Sequence, residues 1–296
     1  MPIPNEYILD YINSKERGVN TRRNYLIWLN KLSSLIEKEI DLFTEKDYED
    51  IGNYLLKSNS LAYVSSLMWQ LQNILAYLRN RDIVKIDLYK LNKFTNNYAP
   101  NITEQIISPE EYEKILDYIM DKEEVTDNSK RIKIRNELII RILWDTGITV
   151  TEVINLRLKN IDFEKRYIII GELNPRRLAL SMKTIETAKS YKKLLGLENQ
   201  NAPFIQNFVK KSFDKKFSAR SIQRFLKDIT QECKIESVVT PNSFRHTKAV
   251  MLLKKGSPPD QVMKILGVND FESISKYIDI INGKNIEVKV LGQEYL

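Results

Sequence analysis

The stretches TPNSFRHTKAVMLLKKG (240–256) and ILGVNDFESISKYIDI (265–280) concentrate the chemistry-bearing residues of this chain. They lie in a region, Ile185 to about Tyr277, that reads as successive helices. They place Arg245 and His246 ahead of Tyr277, with a spacing of 32 residues from the arginine to the tyrosine. His246 is the chain's single histidine, so a histidine general base could be no other residue, and a zinc site is not expected. A single cysteine, Cys233, allows no disulfide framework or thiolate cluster within the chain, which suits a reducing cytosol.

Upstream of these stretches the pattern changes. FEKRYIIIGELNPRRLALS (163–181) has β-branched runs on either side of GELNPRR, which predicts a hairpin or small sheet with a basic turn. Before it, Arg135 to Trp144 is a strongly apolar helix. ISPEEYEKILDYIM (107–120) begins a helix with Ser108 as cap, Pro109 at the first position and two glutamates next. KFTNNYAPNITE (93–104) is polar and contains Pro100, as a linker does. From residue 4 to about 92 apolar residues recur three and four apart. Thr21 is read as the cap of TRRNYLIWLNKLSSLIEK, which puts Tyr25, Leu29, Leu32 and Ile36 on one stripe. Thr44 and Ser60 open two further helices, and the N-terminal third reads as a bundle of about four.

The expected fold is therefore mainly α with a small β-sheet, in two domains: 1–95 a helical bundle, 96–106 a linker, 107–296 a mixed α/β domain with a C-terminal tail. A length of 296 residues accommodates two cores. With 43% hydrophobic and 29% charged residues the composition folds rather than staying disordered. Forty-six basic residues against 39 acidic ones give a net charge of +7 and a pI near 9.1, which favours a polyanionic partner. MPIPNEYILDYI lacks the plan of a signal peptide, and apolar runs such as LIIRIL are far short of a membrane span. A cytoplasmic, nucleoid-associated protein without a membrane partner is the expectation.

Four segments in order carry a resemblance: LWDTGITVTEVINLRLKNID (143–162), IIIGELNPRRLAL (168–180), and the two stretches quoted first. Together they resemble the tyrosine recombinase, or phage integrase, family. Residues 1–95 resemble that family's core-binding domain, and ISPEEYEKIL resembles the start of its catalytic domain. The resemblance implies double-stranded DNA as partner and no cofactor or metal. It also implies strand cleavage by a tyrosine hydroxyl, giving a 3′-phosphotyrosine and a free 5′ hydroxyl. In that chemistry two arginines clamp the non-bridging oxygens, a lysine in a β-turn protonates the leaving oxygen, and a histidine and a histidine or tryptophan complete the donors.

Carried over by position, the family's nucleophile falls on Tyr277 and its second arginine on Arg245. The first arginine falls on Thr149, flanked by Ile148 and Val150, with Arg141 and Arg157 about two helical turns to either side. The lysine falls on Glu172 or, in a slipped register, Asn174; Arg176 or Arg177 could swing in, although phosphate or sheet-surface contacts are the favoured role for both. The histidine falls on Asn242, the last donor on Val268. His246 stands where relatives often carry a supporting histidine. Two of six positions are thus retained, and each lost donor costs roughly 10²–10³ in rate. The implied protein binds DNA in recombination or integration, as part of a mobile element, with catalysis weak or lost.

DNA contacts rest on other residues. Candidates are Arg22, Arg23, Lys31, Arg79 and Arg81 in the bundle. In the second domain they are Arg176, Arg177, Lys210, Lys211, Lys215, Lys216, Arg220 and Arg224, with Ser218 as the cap of a basic helix. Two other readings stand beside this one: an active recombinase with a rearranged site using Tyr277, Arg245 and Arg176 or Arg177, and a helical interaction module with no DNA role, for which Glu172 speaks. The resemblance also implies self-association or assembly with an active recombinase, with NIEVKVLGQEYL (285–296) as a candidate exchanged element.

Overall fold

A computed structural model describes residues 3–14, 19–94, 105–171, 175–208, 217–237 and 239–283. These divide into two compact units, one from the residues up to 94 and one from those between 105 and 283.

The first unit is helical: α1 (Asn5–Asn13), α2 (Val19–Ser33), α3 (Glu45–Leu56) and α4 (Leu61–Arg79), with 3₁₀ segments at Ile40–Leu42 and Leu88–Phe94. Thr44 and Ser60 cap α3 and α4, as the sequence predicts; Thr44 and Asp47 satisfy each other's backbone N–H groups in a capping box. Helix α4 is the spine. Val64, Leu67, Met68, Leu71, Ile74, Leu75 and Leu78 are all fully buried along it. The expectation for α2 needs correction at both ends. Thr21 lies inside the helix, which begins at Val19, and the helix stops at Ser33 rather than running on. The hydroxyls of Ser33 and Ser34 bond the carbonyls of Ile3 and Lys31, offering the backbone an alternative to another turn of helix. Ile36 is still buried, but it is carried by the turn that follows.

The second unit runs α5 (Pro109–Met120), α6 (Asp127–Thr146), α7 (Val150–Asn155), β1 (Ile161–Asp162), β2 (Tyr167–Ile170), β3 (Arg176–Ala179), α8 (Met182–Leu195), α9 (Ala219–Glu232), α10 (Pro241–Lys254), α11 (Pro259–Leu266) and α12 (Glu272–Ile281). The three strands form one antiparallel sheet in sequence order, with Ile168 opposite Leu178 and Ile170 opposite Arg176. The predicted hairpin is therefore present. Helix α6 extends well beyond the expected Arg135–Trp144 core, because Thr126 caps a polar first turn that apolar spacing does not reveal. Arg135 in that helix is buried, its guanidinium 3.8 Å from the Phe217 ring centre, and burial brings its pKa down to about 10. Most of this unit packs around α6. A smaller apolar cluster (Ala249, Val250, Val262, Leu266, Ile274 and Tyr277) joins α10, α11 and α12.

Candidate active site

The site is built where α10, α11 and α12 meet the end of α6. Thr240 and Pro241 start α10 with a capping box and a proline at its first position, which fixes the faces presented one turn later. Arg245 follows on that second turn. It donates through Nη1 to the Gly147 carbonyl at 3.2 Å and through Nη2 to the Leu266 carbonyl at 2.7 Å. Gly147 caps α6 and Leu266 is the last residue of α11, so both acceptors are carbonyls that a helix end leaves without an intrahelical partner. The negative ends of two helix dipoles thus converge on one cation. Burial pulls the Arg245 pKa below the usual arginine value, Glu152 opposes that, and neighbouring Arg176 adds to it.

His246 points from α10 to α12. Its Nδ1 lies 2.7 Å from the Tyr277 hydroxyl. Burial, then Lys276 and Arg245, hold the imidazole pKa down at about 4, so it is neutral at pH 7. Burial raises the Tyr277 hydroxyl to about 12 despite Arg245. In the Nε2–H tautomer of the neutral imidazole the tyrosine donates and Nδ1 accepts; in the Nδ1–H tautomer the direction is reversed. Moving the proton in the resting state is strongly uphill; it becomes feasible only as the hydroxyl oxygen bonds to phosphorus. Tyr277 is 3% exposed, and its ring also packs in the cluster with Ile274. The Lys276 ammonium sits 5.1 Å from the centre of that ring.

Thr149 brings no cation. It is the N-cap of α7, and its backbone N–H and hydroxyl both donate to Glu152 Oε2, at 2.7 and 2.8 Å. The other oxygen, Glu152 Oε1, receives Arg176 Nη2 in an ion pair. Strand alternation separates the two arginines of β3. Arg176 shares the face of buried Leu178 and is part-buried, whereas Arg177 is exposed, 5.5 Å from the Tyr167 ring centre. The Arg176 guanidinium reaches Gly267 with its Nη1, and this glycine, at φ +69°, has no room for a Cβ on that side. Val268 is half-buried and packs against the small cluster. Asn242 is exposed on the first turn of α10 and faces a cleft of about 830 Å³ shared with α7 and α9. Glu172 and Asn174 lie outside the described residues, as do Lys210, Lys211, Lys215, Lys216 and the segment 285–296.

Arg22 and Arg23 are exposed on α2, and Arg220 and Arg224 on α9, whose opposite face is buried through Ile222, Leu226 and Ile229. Arg141 and Arg157 are engaged elsewhere, with Glu137 and with the Asn201 carbonyl. Sequence reasoning gave His246 only a supporting place and passed over Glu152, Lys276 and Gly267. A signal for Glu152 was present: Thr149 and Glu152 have the spacing of a capping box. No comparable signal pairs His246 with Tyr277. Among the described residues no cluster of His, Cys, Asp and Glu could hold a metal, and no helix is long and apolar enough to cross a membrane.

A model of the phage integrase family matches residues 105–282. A tyrosine recombinase XerC from Leptospira interrogans is 25% identical over 297 residues, covering 96% of this chain and 92% of that protein. A tyrosine recombinase XerA from Pyrococcus furiosus is 23% identical over 270 residues, covering 88% and 84%. Among solved structures, the Tn1549 transposon integrase in complex with transposon right end DNA has a TM-score of 0.70 at 16% identity, covering 96% of this chain and 98% of that one.

Proposed function

Since the chain belongs to the phage integrase family, we propose that it binds duplex DNA during recombination or integration and that its own strand cleavage through Tyr277 is weak or lost. The observation that carries this reading is the make-up of one cluster. Tyr277 and Arg245 are brought together, with a neutral imidazole on the tyrosine hydroxyl, while Thr149 serves as a helix cap and Val268 as hydrocarbon. Attack by Tyr277 Oη on phosphorus would form the phosphotyrosine bond and break the bond to the 5′ oxygen, which departs as a hydroxyl with a proton drawn from water, while the phenolic proton passes to His246 Nδ1 in its Nε2–H tautomer. The developing charge on the non-bridging oxygens would have Arg245 as its nearest buried donor. With few donors, each worth roughly 10²–10³ in rate, cleavage is slow. The exposed arginines on α2 and α9 supply sequence-independent phosphate contacts, and Lys215 and Lys216 are assigned the same role. Assembly with further copies or with an active recombinase, at the nucleoid, completes the proposal.

The test begins with selection of bound duplexes from a random library. A nicked suicide version of the recovered site is then incubated with wild-type protein and with Tyr277→Phe. The expected result is tight binding with a steep salt dependence and little or no covalent adduct. Rapid accumulation of an adduct that Tyr277→Phe abolishes would establish the alternative, an active recombinase with a rearranged site, which the Arg176 ion pair beside Arg245 favours. No binding to any duplex at low salt would overturn both.

A further inference from the structure

We infer that Arg176, reaching in from strand β3, is the second guanidinium of a phosphodiester site that it shares with Arg245. This rests on the reading that the chain engages DNA phosphodiesters, and it names which side chains do so at the Tyr277 cluster.

Arg245 and Arg176 meet at one turn, the end of α11. Arg245 Nη2 donates to the Leu266 carbonyl, and the Arg176 guanidinium lies on the next residue, Gly267. The two cations therefore flank one peptide at the end of α11, although they come from a helix and a strand far apart in sequence. Like charges brought this close repel unless an anion lies between or beside them. Glu152 is the carboxylate paired with Arg176, which it meets through Oε1, because Oε2 is occupied by the Thr149 cap. Among the described residues the hydrogen-bond acceptors of Arg245 are carbonyls, which leave its full charge in place. With Lys276 beside Tyr277 and Asp270 near Lys276, the described residues set three cations against two carboxylates, an excess of one positive charge, which fits one incoming monoanion.

The geometry of Arg176 fits an orienting bracket rather than a plain structural ion pair. Nη2 is held by Glu152 and Nη1 abuts Gly267, while Nε is buried with no hydrogen-bond partner. A buried donor without an acceptor is costly, and a phosphate oxygen would satisfy it. A phosphodiester has two non-bridging oxygens, and two guanidinium forks that approach from different elements can each take one. Arg177, one residue on, faces outward and is not placed for this role.

Dimethyl phosphate, a diester monoanion with no sequence to recognise, is the probe. It is titrated into the full chain labelled with ¹⁵N-arginine, and the Nε–Hε signals of Arg176 and Arg245 are followed, assigned with Arg176→Lys and Arg245→Lys. Both signals are expected to move with one common dissociation constant, and Arg176→Gln is expected to weaken binding about tenfold or more. Movement of the Arg245 signal alone, or of neither, overturns the inference. So does unchanged affinity in Arg176→Gln. The outcome separates cleanly from the proposed function: a chain that ignores duplex DNA while both arginines hold dimethyl phosphate sinks the DNA reading only. A chain that binds duplex DNA with a silent Arg176 sinks this inference only.

Discussion

The spine of the first unit and the corner around Tyr277 are both helical and both buried, yet they are made of different matter. Along α4 the buried positions are almost all hydrocarbon, broken by Ser65 and Gln70. At the α10–α12 corner a handful of apolar side chains surrounds an arginine, a histidine, a tyrosine and a lysine whose pKa values burial has displaced. A core that exists only to hold shape has no reason to desolvate so many titratable groups, since each costs free energy. Such groups collect where chemistry or anion binding needs them. The contrast marks the corner as the candidate site without any appeal to a fold.

The contrast can be broken, and the largest expected effect is on chemistry. Tyr277→Phe should remove whatever covalent adduct the wild-type protein forms on a nicked duplex, while shifting the urea midpoint only slightly, because a single buried hydrogen bond is worth about 1 kcal/mol. In the spine, Leu71→Ala should cost about 2–5 kcal/mol in urea unfolding and leave every titration at the corner where it was. If Leu71→Ala were the milder of the two in stability, the division into scaffold and site would fail.

Arg245→Met is intermediate. It strands the Gly147 and Leu266 carbonyls, so a loss of about 2–4 kcal/mol is expected by the same denaturation measurement.

His246 sharpens the comparison through pH. Its folded pKa, about 4, is depressed below the ordinary value of 6.5, so the unfolded chain binds the extra proton first as pH falls. The stability it contributes is fully present above pH 6.5 and drains away between 6.5 and 4. As the chain has one histidine, a slope of stability between pH 5 and 6.5 belongs to this residue. His246→Gln should flatten it, and an unchanged slope would contradict the buried neutral imidazole. The smallest effect is expected at the exposed arginines. Arg22→Ala with Arg23→Ala should leave stability within about 0.5 kcal/mol and lower the salt slope of DNA binding by roughly two.

How much of this was legible in the sequence depended on the range of the interaction concerned. Caps are local, and Ser60, Ser108, Thr44 and Ser218 all stand where the sequence places them. The hairpin was legible because β-branched runs and a turn are local as well. Thr21 misled because the stripe of Tyr25, Leu29 and Leu32 does lie on the helix while the helix started two residues earlier. The choice between Arg176 and Arg177 needed the strand's parity, which Leu178 sets by being buried. The bond between His246 and Tyr277 depends on how α10 packs on α12, and no spacing along the chain encodes that. Arg135 is a related case. A cation in an apolar helix reads as exposed until Phe217, from a distant segment, is seen to cover it.

The hold of Arg245 on two helix ends has an evolutionary consequence. A lineage that abandoned strand cleavage would still be selected to keep this arginine, because losing it would loosen α6 and α11 together. Its presence in any descendant is therefore a poor record of activity. The hydroxyl of Tyr277 and the imidazole that meets it carry no comparable architectural duty, since the ring alone fills the apolar cluster. Phenylalanine at 277 together with an apolar residue at 246, beside an intact arginine at 245, would be the fossil signature of a branch that kept the shape after giving up the reaction.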